Sequence, residues 1–395
     1  MSTRRPILLL DPDNFTPYYL ANLARALVSA GWEVEWLTSP CQFEPIPLPP
    51  EIEPREIFFR RIKGSWSVRL PILRDLWWLR RAAKALAYPW DLRSLHSELR
   101  SRQPGVLHIH WALIPQLDAR YWSRFKREGW KLVFTAHDVE PRAGTNSRLA
   151  GSIEKLLPLA DAVVVHSKIE QEVVLGLGIS EEKTWVIPPG GPGYYSQPGP
   201  PREIARRELG LPADSPLVLF FGLIKPYKGL DLLIEAMQGV RERIPNATLV
   251  VAGGIPGRTG PWKRLMRQTA RQGGVIWHDG YVPQERVSLY FSAADLVALP
   301  YRSSSTSGVL AQALAAGRPV VATDEGALSE GVSTGQTGLV VPSGSSTDLT
   351  EALADLLADP NRRREMGEKA RQVAADQTWE RSAYLTGKGY EALLA

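Results

Sequence analysis

The stretch Phe220-Phe221-Gly222-Leu223-Ile224-Lys225-Pro226-Tyr227-Lys228-Gly229-Leu230-Asp231-Leu232-Leu233-Ile234-Glu235-Ala236 decides the fold of this 395-residue chain. Residues 217–221 form an apolar run of the length of a buried strand, and Gly222 ends it. A short loop then carries Lys225 and Lys228, and Gly229 opens a helical pattern. A strand, a turn and a helix in that order bring backbone N–H groups and ammonium charge to one place, which is a seat for phosphate. Ser303-Ser304-Ser305-Thr306-Ser307-Gly308-Val309-Leu310 repeats the design further on. Two such loops in one half of the chain point to a diphosphate held in a cleft.

Outward from this stretch, short apolar runs alternate with helical patterns, the signature of parallel sheets with crossover helices. Strands are expected at 6–10, 33–38, 56–62, 106–111, 131–137, 162–166 and 184–187, then at 217–221, 247–252, 275–277, 296–300, 319–322 and 339–341. Helical patterns cover 18–30, 72–87 and 115–128 in the first half, and 231–240, 262–271, 283–293 and 309–316 in the second. Pro188-Pro189-Gly190-Gly191-Pro192-Gly193 and Gln197-Pro198-Gly199-Pro200-Pro201 read as a linker, so the cut falls near 190–205. The expected fold class is α/β: two Rossmann-like, doubly wound parallel-sheet domains, 1–195 and 205–376. A last amphipathic helix within 377–395 is expected to pack back on the first domain. Ligands in such sheets sit beyond the C-terminal strand ends, where the lysines, the serine run and His137 all fall, so they are expected to converge on an interdomain cleft.

Length fits two domains of similar size. The single cysteine, Cys41, excludes a disulfide framework and any cysteine-cluster metal site. Arg4 and Arg5 precede an apolar run that Asp11 stops, too short for a signal-peptide core. No apolar stretch approaches a membrane span. A cytoplasmic location is expected, and the formal net charge of +5 settles little by itself.

Lys225 and Lys228 read as groups that neutralise a nucleotide diphosphate, in the ground state and as it leaves; two solvated loop lysines are the plain alternative. Within the serine run, Ser304, Ser305, Thr306 or Ser307 caps a helix, and a capped helix start is also an anion site, with Gly308 allowing close approach. His137 ends a strand facing the expected cleft, a catalytic position or a structural one. His108 and His110 share one strand face, and no third ligand stands at metal spacing. Gly253 and the Gly280-Tyr281 pair follow strands and suit a base or ribose. From Arg60 to Lys131 there are about sixteen basic residues against about five acidic ones, with about seven tryptophans. Helical spacing puts Ile72, Leu76, Leu79, Ala83 and Leu86 on one stripe, and Arg74, Arg80, Arg81 and Lys84 on another with Trp77 among them. Such a basic stripe suits an anionic membrane surface, and a solvated face is its alternative.

These patterns resemble the glycosyltransferases of the GT-B fold, family 4 (group 1), over nearly the whole chain. The carrying residues are Phe221-Gly222 through Lys228-Gly229, Gly280-Tyr281-Val282-Pro283, 294–301, Ser307-Gly308-Val309, 313–321 and Thr337-Gly338-Leu339-Val340-Val341-Pro342. In the first half Thr135-Ala136-His137-Asp138, 160–167 and Val186-Ile187-Pro188 look like the family's acceptor domain. The resemblance implies transfer of a hexose from a GDP- or UDP-sugar to a lipid-linked glycan, with retention of configuration and without metal or cofactor. It implies catalytic roles for His137, Lys228 and Lys225. Donor contacts would come from Gly222, Lys225, Lys228, Gly253, Tyr281, Ser304, Ser307, Gly308, Val309 and Gln312, and acceptor contacts from Phe15, Thr16, Tyr18 and His110. Association with the inner face of the plasma membrane through Arg74, Trp77, Arg80, Arg81 and Lys84 is expected, and no nucleic acid.

The chain departs from the family at several places. The paired glutamates seven residues apart fall on Ser304 and Gln312, and neither carries charge. The usual arginine after the first glycine is Leu223, with Lys225 two positions on. Pro189 stands for a usual histidine, and Asp13-Asn14-Phe15-Thr16-Pro17-Tyr18-Tyr19 for an N-terminal glycine pair. Two alternatives follow: a catalytically silent glycan- or partner-binding protein, and a nucleotide-sugar epimerase of similar fold.

Overall fold

Thirteen strands build two all-parallel sheets in a computed structural model that describes residues 5–40, 48, 52–60, 62, 77–137, 154–192, 198–255, 260–271 and 273–395. The side chains of 77–80, 260–261 and 270–271 are outside that description. The first unit takes the described residues up to His137, those from 154 to Gly190, and Trp379–Ala395; the second takes those of Gly191–Thr378.

In the first unit the strands are β1 (Ile7–Asp11), β2 (Val34–Thr38), β3 (Arg55–Glu56), β4 (Val106–Ile109), β5 (Lys131–Thr135), β6 (Ala162–Val165) and β7 (Thr184–Val186). They lie side by side in the order β3-β2-β1-β4-β5-β6-β7. The direction of winding reverses between β1 and β4, which opens a crevice beyond their C-terminal ends. Leu8 and Leu10 of β1 join Leu107, Trp122, Trp130, Leu132 and Phe134 in one core. Ile7 and Leu9 are buried on the opposite face, as the two-residue period of a strand requires.

The expected strand at 56–62 is a correction. Only Arg55–Glu56 pair as β3, and the chain then turns so that Phe58 and Phe59 enter the core. The expected helix at 72–87 is Trp77–Leu99 among the described residues, running through Pro89. Pro89 and Ala85 are both exposed, so the carbonyl that loses its bond is met by water. The buried stripe is Tyr88, Leu92, Leu95 and Leu99, and Leu86 is 75% exposed.

The last helix, Trp379–Leu394, packs on helix Pro17–Ser29 of the same unit. Glycines seat it: a methyl group at Gly387 would come 2.8 Å from Trp32, and one at Gly389 2.4 Å from Trp185.

The second unit orders β10 (Val275–His278), β9 (Thr248–Ala252), β8 (Leu217–Phe221), β11 (Leu296–Leu299), β12 (Val320–Thr323) and β13 (Gly338–Val341) across its sheet. Here the winding reverses between β8 and β11. Val218 and Phe220 face one core and Leu217 and Leu219 the other. Part of the expected linker is ordered as helix Arg202–Glu208. Its Arg206 is 1% exposed, bonds Asp295 at 2.9 Å and donates to the Ala293 carbonyl.

Candidate active site

The sequence-predicted residues fall into two groups, each at the switch point of its own sheet. In the second unit, β8 ends at Phe221 and Gly222 takes φ +96°. Lys225 precedes the short 3₁₀ turn Pro226–Lys228, whose Lys228 N–H donates to the Lys225 carbonyl at 3.0 Å. Gly229, at φ +66°, then starts helix Leu230–Arg243. After β11 the chain runs through Tyr301 to helix Gly308–Ala315, where Ser307 Oγ accepts from Leu310 N–H.

These two loops enclose a cavity of about 180 Å³ lined by Tyr227, Lys228, Tyr301 and residues 304–309. Lys228 Nζ sits 5.4 Å over the Tyr301 ring. The first-turn N–H groups of the helix have no intrahelical carbonyl to bond and carry its positive dipole end. Thr306 Oγ1 is buried without a hydrogen-bond partner among the described residues. Ammonium charge, helix amides and a spare hydroxyl together make an anion site.

Of the expected donor residues, Lys228, Ser304, Ser307, Gly308 and Val309 line this cavity. Lys225, Gly222, Gly253, Tyr281 and Gln312 do not. Lys225 Nζ lies 5.9 Å from the Tyr227 ring. Tyr281 is 51% exposed on its loop. Gln312 stands one helical turn after Gly308 and shares its face. Ser304 Oγ donates to the Ser305 carbonyl at 2.5 Å. Gly253 has a packing role of its own: at φ +152° its missing side chain leaves room for the Gly222 carbonyl, 2.0 Å from where a Cβ would stand.

Sequence reading missed the brace that holds the two loops together. Arg302 bonds both oxygens of Asp231 at 2.8 Å, its guanidinium reaches the Pro226 carbonyl and its N–H the Tyr227 carbonyl. Tyr227 and Tyr301 were legible only as neighbours of the lysine and of a strand end.

In the first unit, the ends of β1, β4, β5 and β6 bring Phe15, Thr16, Trp111, His137 and His166 together. Asp11 is fully buried, which pushes its carboxyl up to about 6, and it accepts from Thr16 N–H at 3.1 Å. Trp111 Nε1 donates to Thr16 Oγ1 at 3.1 Å. Phe15, 52% exposed, meets Trp111 edge-on at 5.2 Å, and Trp111 stacks on His137 at 5.2 Å and 12°. Trp111 was not singled out from the sequence. Tyr18 is half-buried on helix Pro17–Ser29 and its carbonyl accepts from Asn22.

Two expectations are corrected here. His110 is 1% exposed, sealed among His108, His137 and Tyr19, so an acceptor does not reach it. Lys84 is not on a membrane-facing stripe: it grips both oxygens of Asp13 at 2.7 and 2.8 Å, with its Nζ 5.5 Å over Phe59. Arg74 lies outside the described residues, as do the side chains of Trp77 and Arg80; Arg81 is exposed. Among the described residues, no group of three or more His, Cys, Asp or Glu is placed to hold a metal ion, and no helix is long and apolar enough to cross a membrane.

Comparison with known proteins matches both units. The profile "Glycosyltransferase Family 4" covers residues 17–190 and "Glycosyl transferases group 1" covers 201–373. A Corynebacterium aurimucosum protein named D-inositol 3-phosphate glycosyltransferase is 34% identical over 297 residues, 70% of this chain and 69% of that one. One of the same name from Nocardia farcinica is 32% identical over 328 residues, 78% and 71%. Among solved structures, sucrose-phosphate synthase from Thermosynechococcus elongatus superposes with a TM-score of 0.77 at 24% identity, covering 99% of both chains. Anabaena HepE solved with UDP-glucose gives 0.71 at 18%, covering 98% of this chain and 99% of that one. Below 25% identity these two speak for the fold alone. With sequence relatives at a third identity and matching profiles on both units, this chain belongs to the group 1 (family 4) glycosyltransferases of GT-B fold and is a transferase.

Proposed function

We propose that the chain moves a hexose from a nucleoside diphosphate sugar to a lipid-linked glycan, with retention and without a metal ion. The cavity around Lys228 and the start of helix Gly308–Ala315 carries the donor half of this reading. As the sugar–phosphate bond breaks, negative charge grows on the diphosphate. In this reading Lys228 and the amides of Ser307, Gly308 and Val309 meet that charge, and Lys225 and Thr306 Oγ1 add to them. The leaving phosphate oxygen then takes the acceptor's proton on the same face of the sugar. Ser304 and Gln312 leave sugar and ribose recognition to neutral hydrogen bonds. In this reading His137 and Trp111 serve sugar transfer and the acceptor, and Phe15 offers its exposed ring to a glycosyl face.

Lys228→Ala tests this. Turnover is expected to fall about 10²- to 10³-fold, and UDP or GDP should no longer raise the melting temperature. Unchanged turnover and nucleotide affinity would falsify the donor reading. A thermal-shift panel of UDP, GDP and ADP identifies the base, since a nucleotide at 100 times its Kd stabilises by about 2.7 kcal/mol.

A second acceptor reading, a phosphorylated cyclitol, is favoured by the name of the relatives at 32% and 34% identity. Assaying D-inositol 3-phosphate against a lipid-linked glycan primer with the same donor separates the two.

A further inference from the structure

Four of the chain's six histidines stand together at the strand ends of the first unit. Three of them form a line that can run in one direction only. His166 Nδ1 lies 2.9 Å from the Ile187 carbonyl oxygen. A carbonyl only accepts, so His166 carries its proton on Nδ1 and, when neutral, a lone pair on Nε2. That lone pair is 3.4 Å from His137 Nδ1, which therefore donates to it. His137 Nε2 is left as an acceptor, 3.2 Å from His110 Nδ1, which donates in turn. The line ends at His110 Nε2, buried with no partner among the described residues. Burial holds all three imidazoles below the ordinary histidine range and so neutral, with neighbouring histidines adding to the effect on His110 and His137.

Packing buries His110 and His166 and leaves His137 half-buried. His108 stacks on His110 at 4.4 Å, but its own nitrogens are taken by Tyr390 Oη at 2.6 Å and Thr135 Oγ1 at 2.7 Å. Tyr19 stands edge-on to His137 at 5.0 Å and also touches the rings of His110, His166 and Trp379. Glu170, on helix Lys168–Gly176, accepts from the His166 backbone N–H at 2.7 Å and faces Tyr19 electrostatically. Among the described residues the titratable groups around the line are His108, Tyr19, Tyr390 and Glu170. Both ring nitrogens of His137 are engaged within the protein.

We propose that His166 and His110 are positioning residues that hold His137 as one neutral tautomer, proton on Nδ1 and plane set against Trp111. His137 then contributes a fixed surface to sugar transfer and moves no proton. This rests on the reading that His137 serves sugar transfer.

The test uses the full chain with ¹⁵N-labelled histidine. Long-range ¹H–¹⁵N spectra should show His110, His137 and His166 with the proton on Nδ1, none titrating between pH 5 and 8. A proton on His137 Nε2, or a midpoint near 6.5, overturns the proposal. His166→Gln keeps a donor and an acceptor and should stay within a few-fold of wild-type kcat. His166→Phe keeps neither: kcat should fall about ten- to a hundredfold at unchanged donor KM, and His137 should begin to titrate. Wild-type kcat with a silent His137 in that variant also overturns it; if the variant does not fold, the wild-type spectrum decides. His137→Ala at full turnover removes the role in transfer whatever the spectrum shows. An unaffected Lys228→Ala sinks the donor reading and leaves the imidazole line standing.

Discussion

Gly308 and Gly253 are both glycines of loops beyond strand ends, yet their surroundings separate them. A methyl group built at Gly308 meets nothing within 4 Å, and its φ is not positive. One at Gly253 would strike the Gly222 carbonyl at 2.0 Å. Gly308→Ala is therefore expected to leave the fold intact, or to stabilise it by up to about 1 kcal/mol through helix propensity. The same methyl group stands over the amides that are to meet phosphate, so nucleoside diphosphate affinity should drop about tenfold or more, an energy of about 1.4 kcal/mol. Calorimetric titration of the variant with UDP and GDP checks it; equal affinity would mean that phosphate does not lie over this helix start. The place of Lys228 beside the cavity was readable because strand end, loop and helix start are contiguous. That Gly253 serves backbone packing was not readable, because its neighbour lies thirty-one positions earlier at Gly222, across a strand pairing.

At the scale of the element, helix Trp77–Leu99 departs most from its sequence pattern. Periodicity placed Leu86 on the buried stripe and Lys84 on the charged one. Lys84 instead pairs with Asp13, while Leu86 and Trp90 are 75% and 73% exposed. These two stand one turn apart, and exposed Arg93 continues the same face. An apolar pair beside a guanidinium is what an anionic lipid surface takes up: the rings and methyls enter the interface and the charge stays at the headgroups. The expected membrane contact thus loses Lys84 and is tested at Leu86, Trp90 and Arg93. Leu86→Ser with Trp90→Ser is expected to cut partition onto anionic vesicles at low salt by tenfold or more, since each side chain is worth about 1.5–3 kcal/mol when buried. Co-sedimentation measures it, and wild-type protein that ignores such vesicles ends the idea.

For the molecule as a whole, the distribution of histidines predicts how it fails in acid. His108, His110, His137 and His166 all lie in the first unit, kept neutral by burial, His108 down to about 3. Unfolded, each takes up a proton below about 6.5. Each therefore contributes stability that is present above that pH and is lost as pH falls, at about 1.4 kcal/mol per pH unit. Two buried carboxyls act the other way. Burial raises Asp11 to about 6 and Asp118 to about 7, so their stabilising share is present below about 4 and is lost as pH rises through those values. Four groups against two leave stability rising from about pH 4.5 to 6.5. The second unit has His278 alone among lowered histidines, so the first unit should unfold first. Urea midpoints followed by tryptophan fluorescence across that range test this, and Asp118→Asn should steepen the rise. A flat or falling midpoint would contradict it.

Alternating strands and helices, the loop ending in Gly229, a cap within the serine run and the last helix at Trp379–Leu394 were all determined by sequence alone. Each depends on residues a few positions apart, whose period and turn chemistry act locally. The tertiary structure alone decided which polar groups meet. Lys84 reaches Asp13 and Arg302 reaches Asp231, each across 71 positions, and Tyr390 reaches His108 across 282. The proposed direction of the histidine line also starts from packing, which sets His166 Nδ1 against the Ile187 carbonyl. Such pairings follow from strand register and from which crossover covers which face, quantities that no local window of sequence contains.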